Sequence, residues 1–142
     1  MQRILVVEDA QLNRELLKDM LKDEYQVETA EDGREALNYL DKYPREMAAV
    51  LLDLHMPNVD GFAVMAEMNK KEWLKRIPVL IISSELAVEV ESKCLELGAP
   101  DFIRKPFEQS IVKNRIRNAM RLYTRKNQLE RKVEEQAVML RK

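Results

Sequence analysis

The chain has 142 residues, enough for one globular domain with a buried core and some length left over. Its 24 Lys and Arg nearly balance 25 Asp and Glu, and 46% of residues are apolar, which excludes a disordered chain and a strongly basic nucleic-acid binder. The single cysteine, Cys94, excludes an internal disulfide and a cysteine-based metal site, and no apolar run approaches the ~20 residues of a membrane span, so a soluble cytoplasmic protein is expected.

Residues 4–7 read as an apolar strand so close to the N-terminus that a signal peptide has no room. Leu12, Leu16, Leu17, Met20 and Leu21 then follow helical spacing. Residues 25–29, Tyr-Gln-Val-Glu-Thr, alternate and suit an edge strand with one wet face. Asp32-Gly33 opens a second helix carrying Ala36, Leu37 and Leu40, and residues 49–52 form a third strand. A loop over 57–61 leads to a third helix with Phe62, Val64, Met65 and Met68. Pro78 introduces the fourth strand, 79–82, and Val88, Cys94, Leu95 and Leu97 mark a fourth helix with Gly98 at its C-cap. Phe102 and Ile103 are the core of a short fifth strand.

Four of these strands are too apolar for a sheet with one exposed face, so the pattern predicts (βα)5, a doubly wound flavodoxin-like parallel α/β sheet in the order 2-1-3-4-5. After Phe107 neither Gly nor Pro interrupts the chain, which predicts a fifth helix of about 50 Å. Residues 107–142 carry ten Lys or Arg against four Glu, a net of +6, leaving −7 on the first 106. A heptad seam places Val112, Ala119, Lys126, Val133 and Leu140 at a, with Leu122, Leu129 and Gln136 at d. Arg125 at g would face Glu130 at e of a parallel partner. The division expected is a domain over 1–121 and a helical coiled-coil linker over 122–142. Arg115, Arg117, Arg121, Arg125, Arg131 and Lys132 are interrupted by Glu130, Glu134 and Glu135, so a solvated coil face is preferred to a DNA-binding region.

Four apolar runs stop at groups that can handle a phosphoryl: ILVV at Glu8 and Asp9, AAVLL at Asp53, VLII at Ser83, and FIR at Lys105. Ligands of parallel sheets bind outside the carboxyl ends of the strands, so these groups should share one crevice. Glu8, Asp9 and Asp53 offer hard oxygens to Mg2+, Asp53 is also an in-line nucleophile, Lys105 supplies a point charge and Ser83 a hydroxyl donor. Taken singly, Lys105-Pro106 is a turn, Ser83-Ser84 a helix cap, and Phe102 a core aromatic. His55, the sole histidine, reads as a loop residue with no second histidine for metal binding.

The strings ILVVED, LLDLHMPNVDGF, VLIISS and GAPDFIRKPF resemble the receiver domain of two-component response regulators over roughly residues 1–121. The resemblance implies phosphoryl transfer to Asp53 from a histidine kinase or phosphotransfer protein. It further implies Mg2+ held by Asp9 and Asp53, with Glu8 acting through water and a backbone carbonyl from His55. A cis Lys105-Pro106 bond is implied, as is a switch in which Ser83 moves and Phe102 rotates inward. His55 and Glu85 match the family's variable positions beside the phosphoryl group. Glu8, where Asp is commonest, Ser83, where Thr is frequent, and Val59, where Met is frequent, are mild departures.

The expected function is a phosphorylation-dependent signalling switch that alters dimer or linker geometry. It would catalyse only its own phosphoryl transfer and autodephosphorylation. LYTRKNQLERKVEEQ resembles linkers that precede cyclic-dinucleotide output domains, so a homodimer through the C-terminal helix and an output domain missing from this segment are expected. The alternatives are a structural dimerisation module without phosphorylation and an aspartyl-phosphate hydrolase. The latter would need a general acid and a substrate cap.

Overall fold

The computed structural model describes all residues except 55, 57, 58, 85–87, 141 and 142, with residues 88 and 89 described by backbone alone. Strands β1 (Arg3–Val7), β2 (Gln26–Ala30), β3 (Met47–Asp53), β4 (Val79–Ser83) and β5 (Asp101–Arg104) alternate with helices α1 (Gln11–Leu21), α2 (Gly33–Lys42), α3 (Gly61–Lys70), α4 (Val88–Glu96) and α5 (Gln109–Leu140). The strands pair in parallel in the order β2-β1-β3-β4-β5, as the sequence pattern predicts. The alternating Tyr25–Thr29 segment lies in or beside β2 at one edge.

Because successive strand residues point to opposite faces, each apolar strand feeds two cores. Leu5, Val7, Val50, Leu52 and Ile81 meet Ala36 and Leu40 of α2, Val64, Met65 and Met68 of α3, and Cys94 of α4. Ile4, Val6, Ala49, Leu51 and Ile82 meet Leu17 and Leu21 of α1 and Val112, Ile116 and Ala119 of α5 on the other face. Burial on both sides explains why these strands carry no polar alternation.

Local signals set the helix ends. Asp32 caps α2 by accepting from the Glu35 amide at 2.8 Å, and Asp60 caps α3 by accepting from the Ala63 amide at 2.8 Å. Gly98 follows α4 with φ of 105°, a left-handed conformation that favours glycine. Trp73–Lys75 forms a short 3-10 turn between α3 and β4 that the pattern does not predict.

Expectations about helix faces are corrected in three helices, beginning with α4, where Leu95 is 51% exposed beside buried Cys94. Leu12 and Leu16 are 77% and 41% exposed, because the sheet-facing stripe of α1 runs through Asn13, Leu17, Met20 and Leu21. Leu12 and Leu16 lie one residue, about 100°, away from that stripe. In α5, Val112 and Ala119 are buried against the sheet, so they are unavailable to an intermolecular seam. Tyr123 is the last buried residue of α5, and Leu122, Leu129, Val133 and Leu140 are exposed.

Candidate phosphoacceptor site

The register brings the chemical groups to one edge. Val7 pairs with Leu52, Asp53 with Ile82, and Ser83 with Arg104, so all four strands end nearly level. The parallel ladder extends beyond the strands: the Glu8 amide donates to the Ala30 carbonyl at 3.1 Å, and the Lys105 amide donates to the Ser83 carbonyl at 3.1 Å. Lys105 is therefore fixed at its backbone before its side chain turns into the crevice. The Lys105-Pro106 peptide is cis.

The side chains of Glu8, Asp9, Asp53 and Lys105 lie close together at this edge. Glu8, Asp53 and Ser83 are 0%, 3% and 1% exposed, whereas Asp9 is on the surface. Lys105 Nζ lies 3.2 Å from Glu8 Oε1 and 3.5 Å from Asp53 Oδ2. The lysine thus bridges groups separated by about 50 and 100 residues of chain, a juxtaposition that only the parallel sheet creates. Phe102 packs into the core beneath at 7% exposure. His55 and Glu85 lie outside the described residues.

Asn13 and Arg14 complete the crevice, and sequence reasoning missed both. Asn13 Nδ2 donates to Glu8 Oε1 at 2.9 Å. Arg14 Nη1 donates to the Glu8 and Asp9 carbonyls at 2.8 and 2.9 Å and so fixes the turn that carries the acidic pair. The available signal was positional. Asn13 stands four residues before Leu17 on the buried stripe of α1, where a polar residue needs a buried partner.

The crevice has an excess of negative groups. Burial pushes the Glu8 carboxyl up, but hydrogen bonding with the Asp53 carboxyl, with Asn13 and with Lys105 outweighs it and holds Glu8 below its ordinary value. Glu8 Oε2 is buried without a hydrogen-bond partner. Glu8, Asp9 and Asp53 each present an oxygen within 4.8 Å of the others. A buried orphan oxygen within a cluster of three carboxylates fits a small hard divalent cation such as Mg2+.

Gly61 lets α3 begin against the end of β3. A Cβ there would meet the Asp53 carbonyl at 2.7 Å and Leu54 Cα at 2.8 Å, both backbone atoms that cannot yield cheaply. Gly61→Ala is therefore expected to cost about 1–3 kcal/mol, readable in urea denaturation, and to shift the backbone at Asp53. Unchanged stability would mean that the loop before α3 relaxes freely.

Comparison with known proteins agrees with this geometry. Residues 4–117 match the response regulator receiver domain family model. The chain is 32% identical over 110 residues to the two-component response regulator ORR5 of Oryza sativa, covering 77% of this chain and 81% of that protein. It is also 32% identical over 113 residues to a probable cyclic di-GMP phosphodiesterase of Vibrio cholerae, covering 80% of this chain but 25% of that protein. Other curated relatives are likewise matched over only 26% or 15% of their length. Among solved structures, Vibrio cholerae chemotaxis protein CheY4 superposes with a TM-score of 0.78 at 28% identity, covering 84% of this chain and 98% of that one. With five parallel strands delivering an acidic cluster and a lysine to one edge, and a family match spanning most of its length, the chain belongs to the response regulator receiver domain family.

Proposed function

We propose that this receiver accepts a phosphoryl group on Asp53 from a histidine kinase or phosphotransfer protein and uses the modified crevice to change the geometry of α5. The observation that carries this reading is the Lys105 ammonium placed 3.2 Å from Glu8 and 3.5 Å from Asp53. An Asp53 oxygen is the nucleophile that attacks phosphorus, and the bond from phosphorus to the donor nitrogen breaks in line. Lys105 then offers its charge to a phosphoryl oxygen, and the Ser83 hydroxyl, at the next strand end, donates to another. Glu8, Asp9 and Asp53 would hold Mg2+, with a His55 carbonyl as a further ligand. The bound ion supplies neutralisation of phosphoryl oxygen charge. No turnover of an external substrate is needed: the chain catalyses its own phosphorylation and dephosphorylation.

Transmission through Ser83 and Phe102 is supported by contacts beyond the crevice. Arg115 Nη1 of α5 donates to the Phe102 carbonyl at 2.7 Å and to Asp101 Oδ1 at 3.0 Å. Tyr123 donates its hydroxyl to the Gly98 carbonyl at 3.3 Å. A shift of β5 or of the end of α4 therefore pulls on α5 at two points about two helical turns apart. In this reading residues 1–121 are the receiver and 122–142 a coiled-coil linker, which carries the signal to an output domain. The match to part of a cyclic di-GMP phosphodiesterase supports an output of that class.

Incubation with a small phosphodonor and Mg2+, followed by intact mass, is expected to show a gain of about 80 Da that maps to Asp53. No gain with either acetyl phosphate or phosphoramidate would turn the reading toward a dimerisation module without phosphorylation.

A further inference from the structure

The N-terminal ends of the strands, opposite the acceptor crevice, hold an open cleft of about 510 Å3. Glu24 and Tyr25, just before β2, form one wall, and Arg117, Arg121, Thr124 and Arg125 of α5 form the other. Arg117, Arg121 and Arg125 recur every four residues, which puts three guanidinium groups on one helix face, an arrangement that repels itself. Arg117 is engaged, with Nη2 3.5 Å from Glu24 Oε2 and Nη1 3.3 Å from Asn114 Oδ1. Among the described residues, neither Arg121 nor Arg125 has an ion-pair or hydrogen-bond partner. Glu24 is further neutralised by Lys113 Nζ at 3.5 Å. The cleft therefore holds uncompensated positive charge.

We propose that this cleft binds a nucleotide, with Arg121 and Arg125 on its phosphates and the apolar surface of Met120, Tyr25 and the arginine stems against its base. Adjacent guanidinium groups one helical turn apart suit two phosphate groups or a phosphodiester better than a single carboxylate. The volume falls within the roughly 300–1,000 Å3 of small-molecule sites and exceeds what an inorganic ion needs. The location disfavours a protein occupant. In the heptad frame Arg117 and Thr124 lie at f and Arg121 at c, away from the Leu122 and Leu129 stripe, whereas Arg125 at g flanks it, so a second copy seated on that stripe leaves Arg121 open and competes only for Arg125. A domain attached at the end of the tail would sit about 27 Å beyond Leu122. A nucleotide held here would tie β2 to the root of the tail and thereby stiffen the junction that the phosphoryl signal must cross. This inference stands independently of the phosphoacceptor reading, because none of its residues belongs to that crevice.

Calorimetric titration of the full chain in chelator with adenosine triphosphate and with inorganic pyrophosphate tests it. The nucleotide is expected to bind in the micromolar range and pyrophosphate at least tenfold more weakly, since only the former uses the apolar wall. The double variant Arg121→Ala, Arg125→Ala should weaken nucleotide binding by roughly tenfold or more. Both side chains are exposed, so this variant should fold normally. Lys105→Ala, in the acceptor crevice, should bind the nucleotide as the unmutated chain does. Absence of binding at millimolar nucleotide, equal affinity for pyrophosphate, displacement by an acidic peptide at equal concentration, or loss confined to Lys105→Ala would each overturn the proposal.

Discussion

Asp53→Ala is expected to abolish phosphoryl acceptance and, in chelator, to raise the melting temperature. These effects share one cause. Asp53 is 3% exposed, and it stands within a cluster that includes buried Glu8 and exposed Asp9, with one lysine between Glu8 and Asp53. Removing it leaves Lys105 paired with Glu8 at 3.2 Å, so the remaining buried charges are matched one to one. The lost carboxyl opens a small space lined by polar groups, which costs less than an apolar cavity. Each kcal/mol of like-charge strain relieved should raise the midpoint by about 4 °C for a domain of this size. Mg2+ should reverse the order. At a hundred times its dissociation constant an ion stabilises the folded chain by about 2.7 kcal/mol, and the variant, short of one ligand, should gain much less. Differential scanning fluorimetry with and without Mg2+, paired with phosphodonor labelling, reads both effects. Equal Mg2+ stabilisation of the two proteins would remove Asp53 from the metal site, and labelling that survives in Asp53→Ala would remove it as acceptor.

The expectation that function and stability oppose one another comes from the sequence, because strand ends are legible there. An apolar run that stops at an acidic residue gives both the strand and the position of the carboxylate at its carboxyl end, so Glu8, Asp9 and Asp53 are assigned to one edge by sequence position alone. Lys105 and Ser83 followed by the same rule. Residues of helical stripes were harder. Leu12 and Leu16 share the helical spacing of Leu17 and Leu21, and spacing alone does not say which of two overlapping stripes faces the sheet. The polar Asn13 occupies the buried stripe because it reaches Glu8, and an apolar count passes over it. Val112 and Ala119 show the same ambiguity at larger scale. A heptad pattern that runs from a domain into a free helix uses its first positions to bind the domain's own sheet, and hydrophobicity does not mark where that role ends. The 3-10 turn at Trp73–Lys75 carries no periodic signal at all.

Shortening the chain after Arg125 is expected to convert a weak dimer into a monomer. That end point keeps Tyr123, the last buried residue of α5, and its hydrogen bond to Gly98. It removes Leu129, Val133 and Leu140, which are 63%, 65% and 88% exposed in the single chain. An apolar row of this length on a solvated helix is stable only when covered, and a parallel copy covers it in register because the Leu122, Leu129, Val133 and Leu140 positions form one seam. Only about three heptads remain once Val112 and Ala119 are assigned to the sheet, and Lys126 and Gln136 interrupt them, so the association should be marginal. Marginal association is the condition under which a small shift of α5, delivered through Arg115 and Tyr123, changes the population of dimer rather than only its shape. Sedimentation equilibrium of both chain lengths, with and without beryllofluoride as phosphoryl mimic, measures this. Leu129→Glu in the full-length chain should reproduce the truncation while leaving labelling of Asp53 intact. If the full chain stays monomeric at high micromolar concentration in both conditions, self-association does not cover the stripe, and the signal must leave the receiver through a different partner of the tail.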